Sequence, residues 1–254
     1  MSSVLCVILN WRTPEMTLKA AQAAITAMEG IEGAITIVDN DSQDGSFEAM
    51  SAIAAEWPRV QVLQSGQNGG YGAGNNHGIR AGLPGGEKPD YVYILNSDAF
   101  PAPDAIRHLV DYLDAHPDVG FAGSHIHGPE GDPHMSAFRF PSIASEFEGA
   151  AKTGPITKLL KNAVIAPPLP TRTQRVDWLA GASVLMRQSV LDQIGLFDET
   201  FFLYFEETDL CHRAARAGWP TVYVVESRVM HIGSVSTGMK EWQRVPGYWF
   251  DSRR

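Results

Sequence analysis

Three groups of acidic side chains, two of them beside amides, each follow an apolar or aromatic run. Ile35-Thr-Ile-Val38 ends in Asp39-Asn-Asp-Ser42, and Tyr91-Val-Tyr-Ile-Leu95 ends in Asn96-Ser97-Asp98. The third group, Glu206-Glu207-Thr208-Asp209, follows Phe201-Phe-Leu-Tyr-Phe205. Carboxylates beside amides are hard oxygen ligands, suited to Mg2+ or Mn2+ held against a diphosphate. Asp98 is the leading candidate for such a ligand. Asp39 is placed to hydrogen-bond the hydroxyls or imide of a nucleoside. Each group also has a structural alternative: Asn-Ser-Asp is ordinary turn chemistry, and Asp and Ser cap helices.

Glu206, Glu207 and Asp209 open a predicted helix, where acids favourably face the positive end of the dipole. Their functional alternative is a general base, its pKa raised by desolvation among the preceding aromatics. His231 could ligate a metal through its imidazole, although a lone histidine is more often structural. His125, His127 and His134 are expected in loops. The segment Gln67-Asn68-Gly69-Gly-Tyr71-Gly-Ala-Gly-Asn75-Asn76 is neither G-x-G-x-x-G nor a P-loop. It reads either as a phosphate cradle at a helix start or as a tight turn. No Ser-His-Asp grouping or G-x-S-x-G elbow is present.

These groups need elements to position them. Strands are expected at Val4 to Leu9, Ala34 to Val38, Val60 to Leu63, Tyr91 to Leu95 and Val119 to Ala122. Helices are expected from Pro14, from a cap at Asp44 to about Trp57, from Gly74 to Ala81, and from Pro103 with Ile106, Leu109, Val110 and Leu113 on one face. That alternation predicts a parallel sheet flanked by helices, with Asn10, Asp39 and Asp98 along one rim. Residues 140–172 lack a clear period and read as a mobile or partly helical insert. Strand-like character returns from Val176 to Arg187, a helix runs from Glu206 to Gly218, and Thr221 to Val225 is a final strand.

The chain has 254 residues, enough for one large α/β domain, and its 44% apolar and 19% charged content is that of a soluble globular protein. A net charge of −9 argues against a nucleic-acid surface. The start lacks the basic region of a signal peptide, and no segment approaches the roughly 20 apolar residues that span a bilayer. A cytoplasmic protein is expected, with Cys6 and Cys211 as buried thiols rather than a disulfide.

Taken together, these segments resemble the family 2 glycosyltransferases of GT-A fold, most nearly the rhamnosyltransferase-like branch of bacterial polysaccharide synthesis. The matching pieces, in order, are Val7-Ile-Leu-Asn10, Ile37-Val-Asp-Asn-Asp-Ser42, Asn68-Gly-Gly-Tyr-Gly-Ala-Gly-Asn75-Asn76 and Leu95-Asn-Ser-Asp98. They continue with Trp178-Leu-Ala-Gly181-Ala-Ser183, Ile194-Gly-Leu-Phe-Asp-Glu199, Phe201-Phe-Leu-Tyr-Phe-Glu-Glu-Thr-Asp-Leu210 with Arg213, and His231. The resemblance implies a Rossmann-like, mostly parallel α/β sheet with a smaller acceptor-side region. It implies one domain over residues 1–238, with a nucleotide-binding half at 1–125 and an acceptor half at 126–238, followed by an aromatic tail at 239–254.

The family's roles carry over residue by residue. Asn10, Asp39, Asn68, Gly69, Tyr71, Asn75, Asn96, Ser97, Trp178 and Gly181 would bind the nucleotide-sugar, with Trp178 lining the sugar pocket. Asn96-Ser97-Asp98 looks like the family's DXD-type motif, and Asp98 with His231 would hold Mn2+ or Mg2+. Glu207 stands where the family usually has the catalytic Asp. Glu is one methylene longer, so Glu206 and Asp209 stay open as the base. The implied reaction is inverting transfer of a sugar, with rhamnose a candidate, from a nucleoside diphosphate to a glycan or lipid-linked hydroxyl. Peripheral contact with the inner membrane would accompany a lipid-linked acceptor. Two other readings remain: a non-catalytic nucleotide-sugar-binding partner of a synthase, and a sugar nucleotidyltransferase. The latter lacks the glycine-rich loop expected after strand one, where Asn10-Trp-Arg-Thr-Pro14 stands.

Overall fold

The computed structural model describes residues 2–151 and 153–233, together with Gly247 and Ser252. The first half alternates as its hydrophobic pattern predicts: β1 Ser3–Asn10, α1 Pro14–Ala27, β2 Glu32–Asp39, α2 Ser46–Ala54, β3 Val60–Gln64, α3 Gly70–Ala81 and β4 Tyr91–Asn96. Then come β5 Ala99–Pro101, α4 Ala105–Ala115 and β6 Phe121–His127. The second half supplies β7 Ala137–Phe138, α5 Ile143–Ala151, α6 Gly154–Leu159, β8 Gln174–Val176, β9 Trp178–Leu179 and β10 Ser183–Arg187. It ends, among the described residues, with α7 Gln188–Ile194, α8 Glu206–Arg216 and β11 Thr221–His231.

The main sheet has the order β3-β2-β1-β4-β10-β6-β11-β5, with β8 also on β11. The first four are mutually parallel. β10 runs antiparallel to β4 and β6, and β6 and β11 are again parallel. Alternate residues of β1 face opposite sides: Val4, Cys6 and Ile8 join a core cluster with residues of α1, α2 and α4, whereas Leu5 and Val7 join one with residues of α3, α7 and α8. Burial on both faces explains why these strands read as continuous apolar runs. Each fully buried Val, Leu or Ile contributes about 1.5–3 kcal/mol. Cys6 and Cys211 are free and buried, as expected, and burial lifts the Cys211 thiol to about 12.

One polar thread crosses this core. Tyr93 Oη lies 2.7 Å from Ser183 Oγ, which lies 2.7 Å from Ser124 Oγ, which lies 2.7 Å from Ser227 Oγ. Ser227 donates to the Ala105 carbonyl at 2.9 Å. The thread links β4, β10, β6 and β11 to the first residue of α4.

Several expectations need correction. α3 starts at Gly70 rather than Gly74, so the glycine-rich segment is its first turn. Gly45, at φ 84°, is the N-cap of α2, and Asp44 instead accepts the Ser46 N–H from one position earlier. β6 extends to His127, which places His125 and His127 on a strand rather than in a loop. β11 continues past Val225 to His231 through an irregularity between Val224 and Arg228. β5 was not expected, because three residues carry no period. The 140–172 segment holds α5 and α6, and Arg139 fastens it by donating to the Lys161 and Val164 carbonyls. The aromatic tail lies outside the described residues except for Gly247 and Ser252.

Candidate active site

The parallel register places Asn10 beside Asp39 and Leu9 beside Asn96, so the ends of β1, β2 and β4 form one rim. Asp39 is almost fully buried and held on three sides. Asn10 donates from Nδ2 at 2.7 Å, Ser42 from its N–H at 3.0 Å and from Oγ at 2.6 Å. Thr17 in turn donates to Asn10 Oδ1 at 2.7 Å. Ser42 was a candidate helix cap by residue type, yet it secures Asp39. Asn40 bridges to α3 by donating to Asn68 Oδ1 and the Gly70 carbonyl. Arg12, Asp41 and Gln43 in the rim loops have positive φ, as do Tyr204 and Phe205 before α8. Together they are five of the six such non-glycine residues among those described, and backbone strain of this kind clusters at functional sites.

The turn after β4 carries Ser97 and Asp98, both buried, and leads directly into β5. β5 pairs antiparallel with the end of β11, with Ala99 opposite His231. That pairing brings together two residues 133 positions apart: His231 Nε2 lies 3.0 Å from Asp98 Oδ1. It also lies 3.4 Å from Asn96 Nδ2, while Asn96 Oδ1 is buried with no hydrogen-bond partner. Turning the Asn96 amide over would exchange its nitrogen and oxygen, a choice that hydrogen-bond networks decide. The cluster then presents a carboxylate oxygen, an imidazole nitrogen and an amide oxygen, which fits Mn2+ or Mg2+. Among the described residues no three His, Cys, Asp or Glu side chains gather to enclose a cation. The chemistry therefore fits an open site whose other positions fall to phosphate and water.

The acids of α8 stand near Tyr71. Tyr71 donates its hydroxyl to the Gly181 carbonyl at 2.7 Å, and the Gly181 N–H donates to Glu207 Oε1 at 3.1 Å. A β-carbon at Gly181 would lie 2.6 Å from Glu207 Oε1 and 2.7 Å from the Tyr71 hydroxyl, so only glycine lets the three meet. Burial, then the charges of Glu207 and Glu206 and more weakly that of Asp98, push the Tyr71 hydroxyl well above its ordinary value. Tyr71 thus senses both the α8 acids and the Asp98 cluster. Burial raises the Glu207 carboxyl, and the Gly181 N–H works in the opposite direction by favouring the carboxylate. Glu206 is 1% exposed, and its Oε2 has no hydrogen-bond partner. Burial and its neighbour Glu207 raise its carboxyl well above the usual range. Asp209 instead accepts from Arg213 Nε at 2.7 Å, and the same guanidinium donates to the Ile194, Gly195 and Leu196 carbonyls. That clamp joins α8 to the end of α7.

The start of α3 is not an open phosphate cradle. Gly69 donates its N–H to the Gln67 carbonyl, Gly70 to Asn68 Oδ1, and Tyr71 to the Phe202 carbonyl. Gly70, at φ 90°, approaches Phe202 so closely that a β-carbon would lie 2.0 Å from its carbonyl oxygen. The glycines bring α3 against protein backbone rather than against an anion. Asn75 is fully buried on α3 and donates to the Tyr71 carbonyl. Asn76 exchanges hydrogen bonds with the Phe197 backbone and donates to Glu199, which ties α3 to the loop after α7.

Trp178 lies in an open groove of about 760 Å³ shared with Phe140, Ile165, Phe205, Asp209 and His212. Its ring stacks on Phe138 at 4.2 Å, and its Nε1 donates to the Arg139 carbonyl. Phe138, Phe140 and His212 escaped sequence reasoning, because a two-residue strand and an exposed helix face leave no periodic signal. The groove thus sets aromatic surface beside the polar groups of Asp209 and His212.

The glycosyltransferase like family 2 matches residues 3–245, so this chain belongs to that family. The N-acetylglucosaminyl-diphospho-decaprenol L-rhamnosyltransferase of Mycobacterium tuberculosis is 30% identical over 249 residues, covering 94% of this chain and 79% of that protein. The rhamnosyltransferase WbbL of Escherichia coli is 28% identical over 202 residues, covering 77% of this chain and 72% of its own. A crystal structure of GalNAc-T7 with UDP, GalNAc and Mn2+ matches with a TM-score of 0.68 at 13% identity. It covers 91% of this chain, which spans 44% of that longer one. The protein is a glycosyltransferase of GT-A fold with rhamnosyltransferase relatives. Among the described residues no helix is long and apolar enough to cross a membrane.

Proposed function

We propose that this glycosyltransferase moves a hexose, with rhamnose the leading candidate, from a nucleoside diphosphate to a lipid-linked glycan hydroxyl, inverting the anomeric carbon. The carrying observation is that adjacent residues meet both clusters: Gly181 accepts from the Tyr71 hydroxyl and donates its N–H to Glu207, and the Ala182 carbonyl accepts the Asn96 N–H at 3.1 Å, with His231 beside Asn96 and Asp98. Residues 1–125 serve the nucleotide and residues 126–238 the acceptor within one domain. Asp39 and Asn10 meet the nucleoside, Asn68, Gly69, Tyr71, Asn75 and Ser97 shape the donor cleft, and Trp178 with Gly181 lines the sugar. Asp98, His231 and the Asn96 amide oxygen would hold Mn2+ or Mg2+, which supplies positive charge to the departing diphosphate.

Glu207 takes the proton of the acceptor hydroxyl as its oxygen bonds to the anomeric carbon. The bond from that carbon to the diphosphate oxygen breaks, and its electron pair leaves with the nucleoside diphosphate. Glu206, sealed from solvent with its carboxyl held above the usual range, does not compete for this role, and Asp209 is engaged by Arg213. One displacement suffices, so no covalent glycosyl-enzyme forms. The enzyme acts in the cytoplasm, in peripheral contact with the membrane that carries its acceptor.

The test offers a panel of nucleoside-diphosphate sugars, including rhamnose donors, to wild type and to Glu207→Gln with an acceptor and Mn2+. Wild type should release nucleoside diphosphate only with acceptor present. Glu207→Gln should bind donor comparably and lose about 10²- to 10⁴-fold in turnover. Full turnover by that variant would remove the assignment. Donor binding without any transfer by wild type would favour a non-catalytic binding role.

A further inference from the structure

The six exposed large apolar residues among those described are unevenly placed. The three most exposed, Ile143 at 92%, Leu159 at 82% and Phe147 at 59%, all lie in the 140–172 segment. Ile143 and Phe147 are four residues apart on α5 and share one of its faces. The same helix buries Ser145 and turns Glu146 toward the acceptor groove. Leu159 ends α6, which packs on α5. Water contact on three such side chains is costly unless another phase or partner covers them.

Charge narrows the occupant. Residues 140–172 carry four Lys or Arg against two Glu, in a chain whose net charge is −9. Lys158, Lys161 and Arg172 are exposed there. Apolar anchors beside basic side chains match an anionic bilayer, where the former enter the acyl boundary and the latter meet phosphate headgroups. The segment is also continuous with the groove, because Phe140, Pro141, Glu146 and Ile165 line it beside Trp178.

Resting on the lipid-linked acceptor proposed above, we infer that α5 and α6 form a membrane-docking surface for anionic phospholipid, which sets the mouth of the acceptor groove at the bilayer. A lipid-linked acceptor then reaches the groove while its lipid tail stays in the membrane. Nucleoside binding at Asn10 and Asp39 involves none of these residues and does not depend on this contact.

The experiment sediments the full chain with vesicles of phosphatidylcholine alone or with phosphatidylglycerol. Wild type should partition to the anionic vesicles and less to the neutral ones, and high salt should weaken it. The triple change Ile143→Asp, Phe147→Asp and Leu159→Asp should lower partitioning by about tenfold or more. Lys158→Glu with Lys161→Glu should remove the preference for phosphatidylglycerol. Both variants should retain wild-type melting and donor-induced stabilisation, since none of these residues lines the cleft. Wild type staying in the supernatant, or the triple variant sedimenting equally, overturns the inference. Transfer to a water-soluble acceptor without vesicle binding would end the docking surface alone. Vesicle binding without any transfer would end the glycosyl-transfer reading alone.

Discussion

Glu206 and Glu207 are adjacent in sequence and differ in surroundings. Glu207 receives the Gly181 N–H and keeps part of its surface accessible, whereas Glu206 is sealed with one oxygen unpartnered. The folded state therefore holds the Glu206 proton at pH values where the unfolded chain has released it. Below the ordinary value of 4.5 both states are protonated and Glu206 has no effect on stability. As pH rises above that, the unfolded state gains by ionising, so stability falls until the folded carboxyl ionises too. Glu206→Gln mimics the neutral acid. Its melting temperature should match wild type in acid and exceed it increasingly toward neutral pH, with turnover largely kept. Glu207 also has a raised carboxyl, and the proposed base role needs it ionised. The acid limb of the rate profile should lie above 4.5 and vanish, with most of the activity, in Glu207→Gln. Sequence alone left three acids open as the base. Their surroundings differ in which one meets Gly181, which is sealed and which meets Arg213, and all three are tertiary facts.

At the scale of elements, α3 shows how a motif can be legible while its purpose stays open between two readings. The glycines were visible, and close backbone approach was the right physics, but the partner is the Phe202 carbonyl rather than phosphate. Gly70→Ala meets both a positive φ and a 2.0 Å collision, and should destabilise by more than the roughly 1–3 kcal/mol of φ strain alone. Gly45→Ala has a similar φ and nothing within 4 Å, so its cost should stay near about 1 kcal/mol. Urea midpoints of the two variants provide the comparison. The strands of the first half were readable because two-sided burial imprints a long apolar run. β5 and β7 were not, because three and two residues imprint nothing. Yet β5 is the element that sets His231 beside Asp98.

For the whole molecule, the serial order of motifs and the rim shared by Asn10, Asp39 and Asp98 were legible, whereas the strand pairing that sets His231 beside Asp98 was not. Asp39 ends β2 near one edge of the sheet and His231 ends β11 near the other, with β1, β4, β10 and β6 between. Binding that engages both should stabilise both halves together. Nucleoside diphosphate with Mn2+ should raise a single melting transition by an amount equivalent to about 2.7 kcal/mol at a hundredfold excess over Kd. Asp98→Ala or a chelator should abolish the Mn2+-dependent part. The hydroxyl thread ties the same two halves through the reversed strand β10. Ser227 has one proton and gives it to Ala105, so it can only receive from Ser124. Ser124 can then only receive from Ser183, and Ser183 only from Tyr93. The four O–H dipoles are aligned in a one-way row whose direction is dictated from a single end. Cutting it at Ser124 would strand the Ser183 hydroxyl without an acceptor, and the loss would be felt by strands on both sides of the cut.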